Sequence, residues 1–166
     1  MILLAIGANL TTPRFGPPVA ACQAALARLE AAGVGVVARS PWYETPPDPP
    51  SDQPWFVNGV ARIETGLGPA ALLDLLHGIE AEMGRVRRRR NEARVIDLDL
   101  IDYAGRVTPA PARPELPHPR LAARPFVLVP LADVAPGWRD PRTGTPVDAL
   151  IKALPGAAVL RRLPIG

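Results

Sequence analysis

The apolar residues along the chain recur with two periods, one typical of strands and one typical of helices. The N-terminal run from Ile2 to Ile6 is continuous and predicts a buried central strand. From Pro17 to Gly33, apolar side chains recur every three or four residues, which predicts a helix that stops at the glycine. The same reasoning predicts strands at 34–45, 55–65 and 95–103 and a second helix at 69–83.

The predicted order of these elements is βαββαβ, which is typical of a ferredoxin-like α+β sandwich with the sheet on one side and two helices on the other. Additional C-terminal elements follow: a short helix near 127–134, a last helix at 147–154 and a strand or tail at 158–163. Without a repeat or a domain-length linker, residues 1–166 are expected to form a single domain. Because this fold hosts many functions, it does not decide between them.

Composition narrows the class of protein. With 48% hydrophobic and 21% charged residues, the chain is predicted to be globular and not disordered. The net charge of +3 suits an anionic partner, and Lys152 is the only lysine, so the positive charge is almost entirely arginine. The only cysteine, Cys22, lies in a helical apolar pattern and is expected in the core. No apolar run reaches membrane length, so we expect a cytoplasmic protein without membrane contact.

The stretch from Gly84 to Leu100 carries the strongest chemical signal. A dense block of arginines precedes Asp97 and Asp99, which are two residues apart on a predicted strand and therefore point to the same face. Two adjacent carboxylates suit a hard cation such as Mg²⁺, which accepts oxygen ligands and leaves room for phosphates. Arginine forks match phosphate oxygens. Together these features favour phosphoryl-type transfer.

Each feature also has an ordinary explanation. An Asp-x-Asp pair is often the solvated face of an edge strand, and an arginine run is often a loop or a nucleic-acid patch. RNA-recognition domains share the predicted topology and carry basic loops, but their aromatic-rich strand motif is absent here. The co-occurrence of acids and arginines in one short segment favours a catalytic site.

Three further features could build a pocket. Phe56 and Asn58 share one strand face and could stack on and hydrogen-bond a flat heterocycle, although ordinary cross-strand packing explains them equally well. The proline-rich stretch 46–54 could be a surface connection or a stiff pocket wall. His118 lies between two prolines in a rigid, non-helical position.

Six ordered motifs, spread over nearly the whole chain, resemble the 6-hydroxymethyl-7,8-dihydropterin pyrophosphokinase family. They read AIGANL, SPWYETPP, DQPWFVNGV, LLHGIEAEMGRVR, the segment from Arg94 to Leu100, and LPHPRLAARPFVLVPL. The resemblance implies transfer of the β,γ-diphosphoryl group of ATP to the hydroxymethyl oxygen of the pterin, with release of AMP, in folate biosynthesis. It also implies the ferredoxin-like fold. We expect a monomer that acts on these small molecules and does not bind nucleic acid.

The resemblance assigns roles residue by residue. Asp97 and Asp99 match the aspartates that hold two Mg²⁺ ions, and with Arg85 and Arg94 they form the expected catalytic set. The expected ATP-binding residues are His77, Glu80, Arg87, Arg113, Glu115, His118 and Arg124, with His77 and Glu115 at less closely matching positions. The expected pterin-binding residues are Thr45, Pro46, Pro47, Phe56, Asn58 and Phe126.

The chain departs from the family pattern at two places. Asn91 and its two successors stand where the family often has a tryptophan and Gly-Pro, and Ala8 stands where serine is usual. Neither change touches the expected metal or phosphate residues.

Overall fold

The computed structural model of the chain describes residues 1–47, 49–85, 94–155 and 160–164. Within these ranges the chain forms a mixed α+β structure with one antiparallel sheet. The elements in chain order are β1 (Ile2–Ala8), α1 (Pro18–Ala31), β2 (Gly35–Arg39), β3 (Tyr43–Thr45), β4 (Phe56–Glu64), α2 (Pro69–Glu82), β5 (Asp97–Tyr103), α3 (Pro125–Val134), α4 (Val147–Lys152) and β6 (Arg161–Arg162).

The sheet is built around β1, which pairs antiparallel with β4 on one side and β5 on the other. The strand order is β5-β1-β4-β3-β6, and β2 also pairs with β4. β2 and β3 therefore occupy successive parts of the same edge of β4. The additional C-terminal elements are confirmed, since α3, α4 and β6 all follow β5.

The predicted single strand at 34–45 is wrong in one respect, because it is broken between Arg39 and Tyr43. The Ser40 hydroxyl accepts a hydrogen bond from the Val60 amide at 2.9 Å, and the Ser40 amide donates to the Val60 carbonyl at 2.9 Å. The Trp42 ring then lies across Gly59, where a Cβ atom would come within 2.7 Å of it. This close packing at the break explains why a continuous extended strand does not form.

Hydrophobic layers cover both faces of the sheet. Leu4 and Ile6 belong to the layer under α1 and α2, whereas Leu3 belongs to the layer under α3 and α4. This alternation explains the continuous apolar run of β1, since both faces of a central strand are buried. The prediction that helices cover one face is therefore incomplete, because α3 and α4 cover the other. Cys22 is fully buried in the first layer, which confirms its predicted core position.

Asp97 and Asp99 lie on the face of the sheet that α3 covers. Strand periodicity places Asp97 and Asp99 on the face opposite Leu98 and Leu100, which pack in the layer under α1 and α2. β5 begins at Asp97, two residues later than predicted. No helix among the described ranges is long and apolar enough to cross a membrane.

Candidate active site

A cavity of about 570 Å³ opens on this face, where the end of β3, the start of β4, the start of β5 and the start of α3 meet. Its size is in the range of small-molecule sites, roughly 300–1,000 Å³. Nine of the residues expected at a site from the sequence line it: Thr45, Pro46, Pro47, Phe56, Asn58, Arg94, Asp97, Arg124 and Phe126. The lining combines charged side chains, which we call the charged end, with apolar and amide side chains, which we call the apolar end. The first group is Arg94, Asp97 and Arg124, and the second is Thr45, Pro46, Pro47, Phe56, Asn58 and Phe126.

Asp97 lies at the centre of an arginine cluster. Its Oδ1 accepts from Arg85 Nη1 at 2.6 Å, and its Oδ2 accepts from Arg94 Nη1 at 2.7 Å. The Arg85 and Arg94 side chains are 10% and 24% exposed. One carboxylate thus holds two guanidinium groups at the charged end of the cavity, and both could take up further anionic oxygens.

Glu80 contacts the same nitrogen of Arg85 as Asp97 does. Glu80 is 2% exposed, and its Oε2 accepts from Arg85 Nη1 and, at 2.9 Å, from the backbone amide of Leu98. Burial alone would lower the pKa of Arg85, but the charges of Asp97 and Glu80 outweigh burial and raise it. Glu80, expected to contact ATP, thus fixes Arg85 and the start of β5 in this structure.

Asp99 is held less tightly than Asp97. Arg124 Nη1 lies 3.6 Å from Asp99 Oδ2, and His118 Nε2 lies 4.0 Å from the same oxygen. Burial and the neighbouring charge of Asp97 raise the pKa of Asp99 to about 7, against the opposing effect of Arg124. Asp99 therefore readily binds a proton or a cation, and it lies beside Asp97, which is already paired with two arginines.

His118 is fixed through its backbone and its ring. Its amide donates to the Ile101 carbonyl at 2.9 Å, and its Nδ1 accepts from the Arg120 amide at 3.2 Å. Since Nδ1 is an acceptor, the ring proton lies on Nε2, which faces Asp99. Burial and the charge of Arg124 lower the pKa of His118 to about 4, so the ring is a neutral donor near pH 7.

The apolar end of the cavity combines two aromatic rings with a buried amide. Asn58 Nδ2 donates to Thr45 Oγ1 at 2.8 Å, and Asn58 is 7% exposed. A Cβ atom at Gly7 would lie 2.8 Å from Asn58 Oδ1, so only glycine leaves room for this amide. Phe56 and Phe126 also line this end, and the Arg124 guanidinium lies 5.5 Å from the centre of the Phe126 ring.

Asn9, which sequence reasoning did not assign to the site, joins two of its walls. Its Nδ2 donates to Gln53 Oε1 at 3.1 Å and to the Pro54 carbonyl at 3.2 Å. Its Oδ1 accepts from the Arg94 amide at 2.7 Å, and its own amide donates to the Arg94 carbonyl at 3.0 Å. The sequence signal that could have identified Asn9 was its position as a polar residue directly after the apolar strand β1. Gly7 and Arg120 also line the cavity and were missed, whereas Gln53 belongs to the stretch 46–54 for which a pocket wall was one of two interpretations.

Some expected residues lie apart from the cavity lining. His77 and Arg113 contact each other, with His77 Nδ1 3.3 Å from Arg113 Nη2, and Glu115 lies in the same connection as Arg113. None of the three lines the cavity, and neither do Glu80, Arg85, Asp99 and His118. Arg87 and Asn91 lie outside the described residues.

The residues present suit Mg²⁺ when phosphates supply the remaining ligands. Across the described part of the chain, no group of three or more His, Cys, Asp or Glu side chains is arranged to hold a metal ion. Mg²⁺ is commonly bound through one or two carboxylates together with substrate phosphates and water. The adjacent carboxylates of Asp97 and Asp99 match that donor set.

Fold and cavity together define a small α+β protein with a cavity lined by two aromatic rings, a buried amide and charged side chains. The family model for 7,8-dihydro-6-hydroxymethylpterin-pyrophosphokinase matches residues 3–136. The chain belongs to this family.

Relatives from distant organisms agree with this placement. A 2-amino-4-hydroxy-6-hydroxymethyldihydropteridine pyrophosphokinase of Pseudomonas aeruginosa is 42% identical over 163 residues, covering 98% of this chain and 96% of that protein. A protein of the same name from Methylorubrum extorquens is 44% identical over 134 residues, covering 80% and 81% of the two chains. The folic acid synthesis protein fol1 of Schizosaccharomyces pombe is 36% identical over 157 residues, covering 94% of this chain and 21% of that protein.

Proposed function

We propose that this chain transfers the diphosphoryl group of ATP to the hydroxymethyl oxygen of 6-hydroxymethyl-7,8-dihydropterin, giving the pterin diphosphate and AMP, in folate biosynthesis. Family membership supports this reaction, and one structural observation supports assigning it to this chain. Asp97 lines a cavity that also holds two aromatic rings and a buried amide, and Asp99 lies two residues further along the same strand face, beside Arg124.

The apolar end suits the pterin. Phe56 and Phe126 can cover the two faces of the ring, and aromatic contacts of this kind are worth roughly 0.5–1.5 kcal/mol beyond area burial. Asn58 Oδ1 can accept from the pterin edge, while one hydrogen of its Nδ2 is donated to Thr45 Oγ1. The backbone of Pro46 and Pro47, which lacks amide donors, offers only carbonyl acceptors. The acceptor-rich end therefore favours a ring that presents several N–H groups.

The charged end suits the triphosphate. Arg85 and Arg94 are already fixed by Asp97, so little side-chain entropy is lost when they bind phosphate oxygens. Arg124 and the Nε2–H of His118 provide two further donors on the Asp99 side. These residues orient the phosphate chain and stabilise the charge that passes to the leaving AMP.

Two Mg²⁺ ions are part of the proposal, with Asp97 and Asp99 as their protein ligands. When bound, Mg²⁺ neutralises phosphate charge and makes the transferred phosphorus more electrophilic. The attacking group is a primary alcohol, so positioning by the cavity matters more than a strong base. Asp99, whose pKa lies near 7 in the metal-free protein, can release its proton as the cation binds.

We also infer a ferredoxin-like sandwich for the part of the chain up to β5. The order β5-β1-β4 followed by β2 and β3, with α1 and α2 packed on one face, supports this topology. The third and fourth helices and β6 are then additions to it, and α3 supplies one wall of the cavity. The monomeric state and the cytoplasmic location stay predictions from the sequence.

The test is AMP formation from ATP, Mg²⁺ and the reduced hydroxymethylpterin, with each component omitted in turn. The matched variants are Asp99→Asn and Asp74→Asn, the latter an exposed aspartate on α2. We expect AMP only with all three components, loss of activity in Asp99→Asn and normal activity in Asp74→Asn. AMP formation without the pterin, or equal rates in both variants, would contradict the proposal.

A further inference from the structure

A hydrogen bond outside the cavity joins the two elements that form its walls. Tyr43 Oη donates to Asp133 Oδ2 at 2.5 Å, and Tyr43 is 8% exposed. Tyr43 lies directly opposite Asn58 in the pairing of β3 with β4, so its side chain is on the same face of the sheet as the cavity. Neither Tyr43 nor Asp133 lines the cavity itself.

Both elements lead from this bond to the cavity. On β3, Tyr43 precedes Thr45 by two residues, and the wall continues into Pro46 and Pro47. On α3, Phe126 precedes Asp133 by seven residues, which is two helical turns, about 10 Å, on the same helix face. The bond thus joins β3 to α3 at a point away from the cavity, and each of these elements carries one residue of the cavity lining, Thr45 on β3 and Phe126 on α3.

The bond is well suited to fix this geometry. Its acceptor is a carboxylate, and a charge-assisted hydrogen bond is shorter and stronger than a neutral one. Burial and the neighbouring Asp133 raise the pKa of Tyr43 to about 12, so the hydroxyl keeps its proton at neutral pH. Asp133 itself is exposed, so water competes for the carboxylate and moderates the contribution of the bond.

We propose that Tyr43 and Asp133 are positioning residues that set the distance between the β3 wall and the α3 wall, and thereby the affinity for the pterin ring. The inference rests on the proposed function. It makes a selective prediction, because Arg85, Glu80 and Asp97 are held by contacts among α2, β5 and Arg85, whereas Arg124 is the phosphate-binding residue that adjoins α3. Affinity for ATP should therefore depend much less on the Tyr43–Asp133 bond than affinity for the pterin does.

The experiment compares Tyr43→Phe, Asp133→Asn and the double variant with a control, Tyr103→Phe. Tyr103 is also buried, and its hydroxyl donates to the Leu67 carbonyl at the other side of the sheet. The control therefore removes the same chemical group from a buried tyrosine that is remote from the cavity. The measurements are the Kd of 6-hydroxymethylpterin with a non-hydrolysable ATP analogue present, the Kd of that analogue alone, KM and kcat for the pterin, and Tm.

We expect Tyr43→Phe to weaken pterin binding about fivefold, which is less than the full contribution of a hydrogen bond to a charged group because water competes for the exposed Asp133. Nucleotide affinity should change less than about twofold, and the KM for the pterin should rise more than kcat falls. The double variant should weaken binding no more than Tyr43→Phe does, because both substitutions act on the same bond, which the loss of the Tyr43 hydroxyl already removes. Tyr103→Phe should leave pterin affinity unchanged even where it lowers Tm.

Two results would overturn the inference while leaving the proposed function intact. One is unchanged pterin affinity in Tyr43→Phe. The other is a parallel loss of pterin and nucleotide affinity that follows Tm in all variants, including the control. An unaltered protein that binds no pterin would overturn the proposed function, and the positioning role with it.

Discussion

The buried carboxylate of Glu80 offers a sharp test of how the charged end of the cavity is held. Glu80→Gln keeps the shape of the side chain and an acceptor for the Leu98 amide but removes the charge that faces Arg85. Arg85 is then left in a site where its side chain is 10% exposed, with Asp97 as its remaining charged partner of those described above. The substitution should therefore lower both stability and activity.

The magnitude follows from burial. Removing one partner of a buried ion pair costs roughly 3–5 kcal/mol, because an uncompensated charge stays behind. Asp97 still neutralises Arg85 here, so we expect a smaller loss, about 2 kcal/mol, in the free energy of unfolding. For a chain of this length that corresponds to a fall in Tm of roughly 4–8 °C. Because Arg85 is less well oriented, AMP formation should fall by about tenfold or more.

The matched control is Glu82→Gln on the same helix. Glu82 also contacts two arginines, Arg14 and Arg28, but its side chain is 50% exposed. Water and salt screen such pairs, so this variant should unfold and turn over like the unaltered protein. The assays are urea unfolding, thermal unfolding and AMP release. Equal effects of the two substitutions on Tm and rate would refute the argument from burial.

Three further predictions concern the same face of the sheet. The pKa of Asp99 is raised to about 7 in the folded protein, so this carboxyl stabilises the fold below its unfolded pKa and loses that contribution as pH rises. In urea unfolding without metal, the free energy of unfolding of Asp99→Asn should therefore increase relative to that of the unaltered protein between pH 4 and pH 8. A difference that does not change with pH would contradict this. Mg²⁺ binding, measured by calorimetry in buffers of different ionisation enthalpy, should release protons between pH 6 and 7 and little above pH 8, and a constant release would argue against Asp99 as a ligand. Gly7→Ala should weaken pterin binding without a matching loss of nucleotide binding, because its Cβ would displace the Asn58 amide, and unchanged pterin affinity would exclude that amide as a contact.

Much of the fold was accessible from local pattern. The periods of the apolar residues located β1, α1, β4 and α2 because burial on one helix face or on both strand faces leaves a direct trace. The break between β2 and β3 left no trace in the period of the apolar residues, although Pro41, which has no backbone N–H, lies within it. It depends on the packing of Trp42 against Gly59, which are distant in sequence and meet only in the sheet. The second helical layer was missed because the sequence of the short helices α3 and α4 does not indicate which face of the sheet they cover.

The candidate site was predictable where chemistry and spacing coincide. Asp97 and Asp99 share a strand face by period alone, and the motif resemblance supplied the residues of the pterin end. Contacts between distant segments were not predictable. Asn9 and Glu80 act through partners that are 85 and 18 residues away, and neither distance is encoded in a local pattern. The arginines likewise suggested phosphate binding, but not that Asp97 holds Arg85 and Arg94.

The central claim is that the chain moves two phosphoryl groups together. The direct test is analysis of both products after the unaltered protein has reacted with ATP, Mg²⁺ and 6-hydroxymethyl-7,8-dihydropterin, with the pterin product weighed by mass spectrometry and the nucleotides separated. We predict a pterin that carries two phosphates, formed in equal amount with AMP. A pterin monophosphate formed together with ADP, or no phosphorylated pterin at all, would contradict the account.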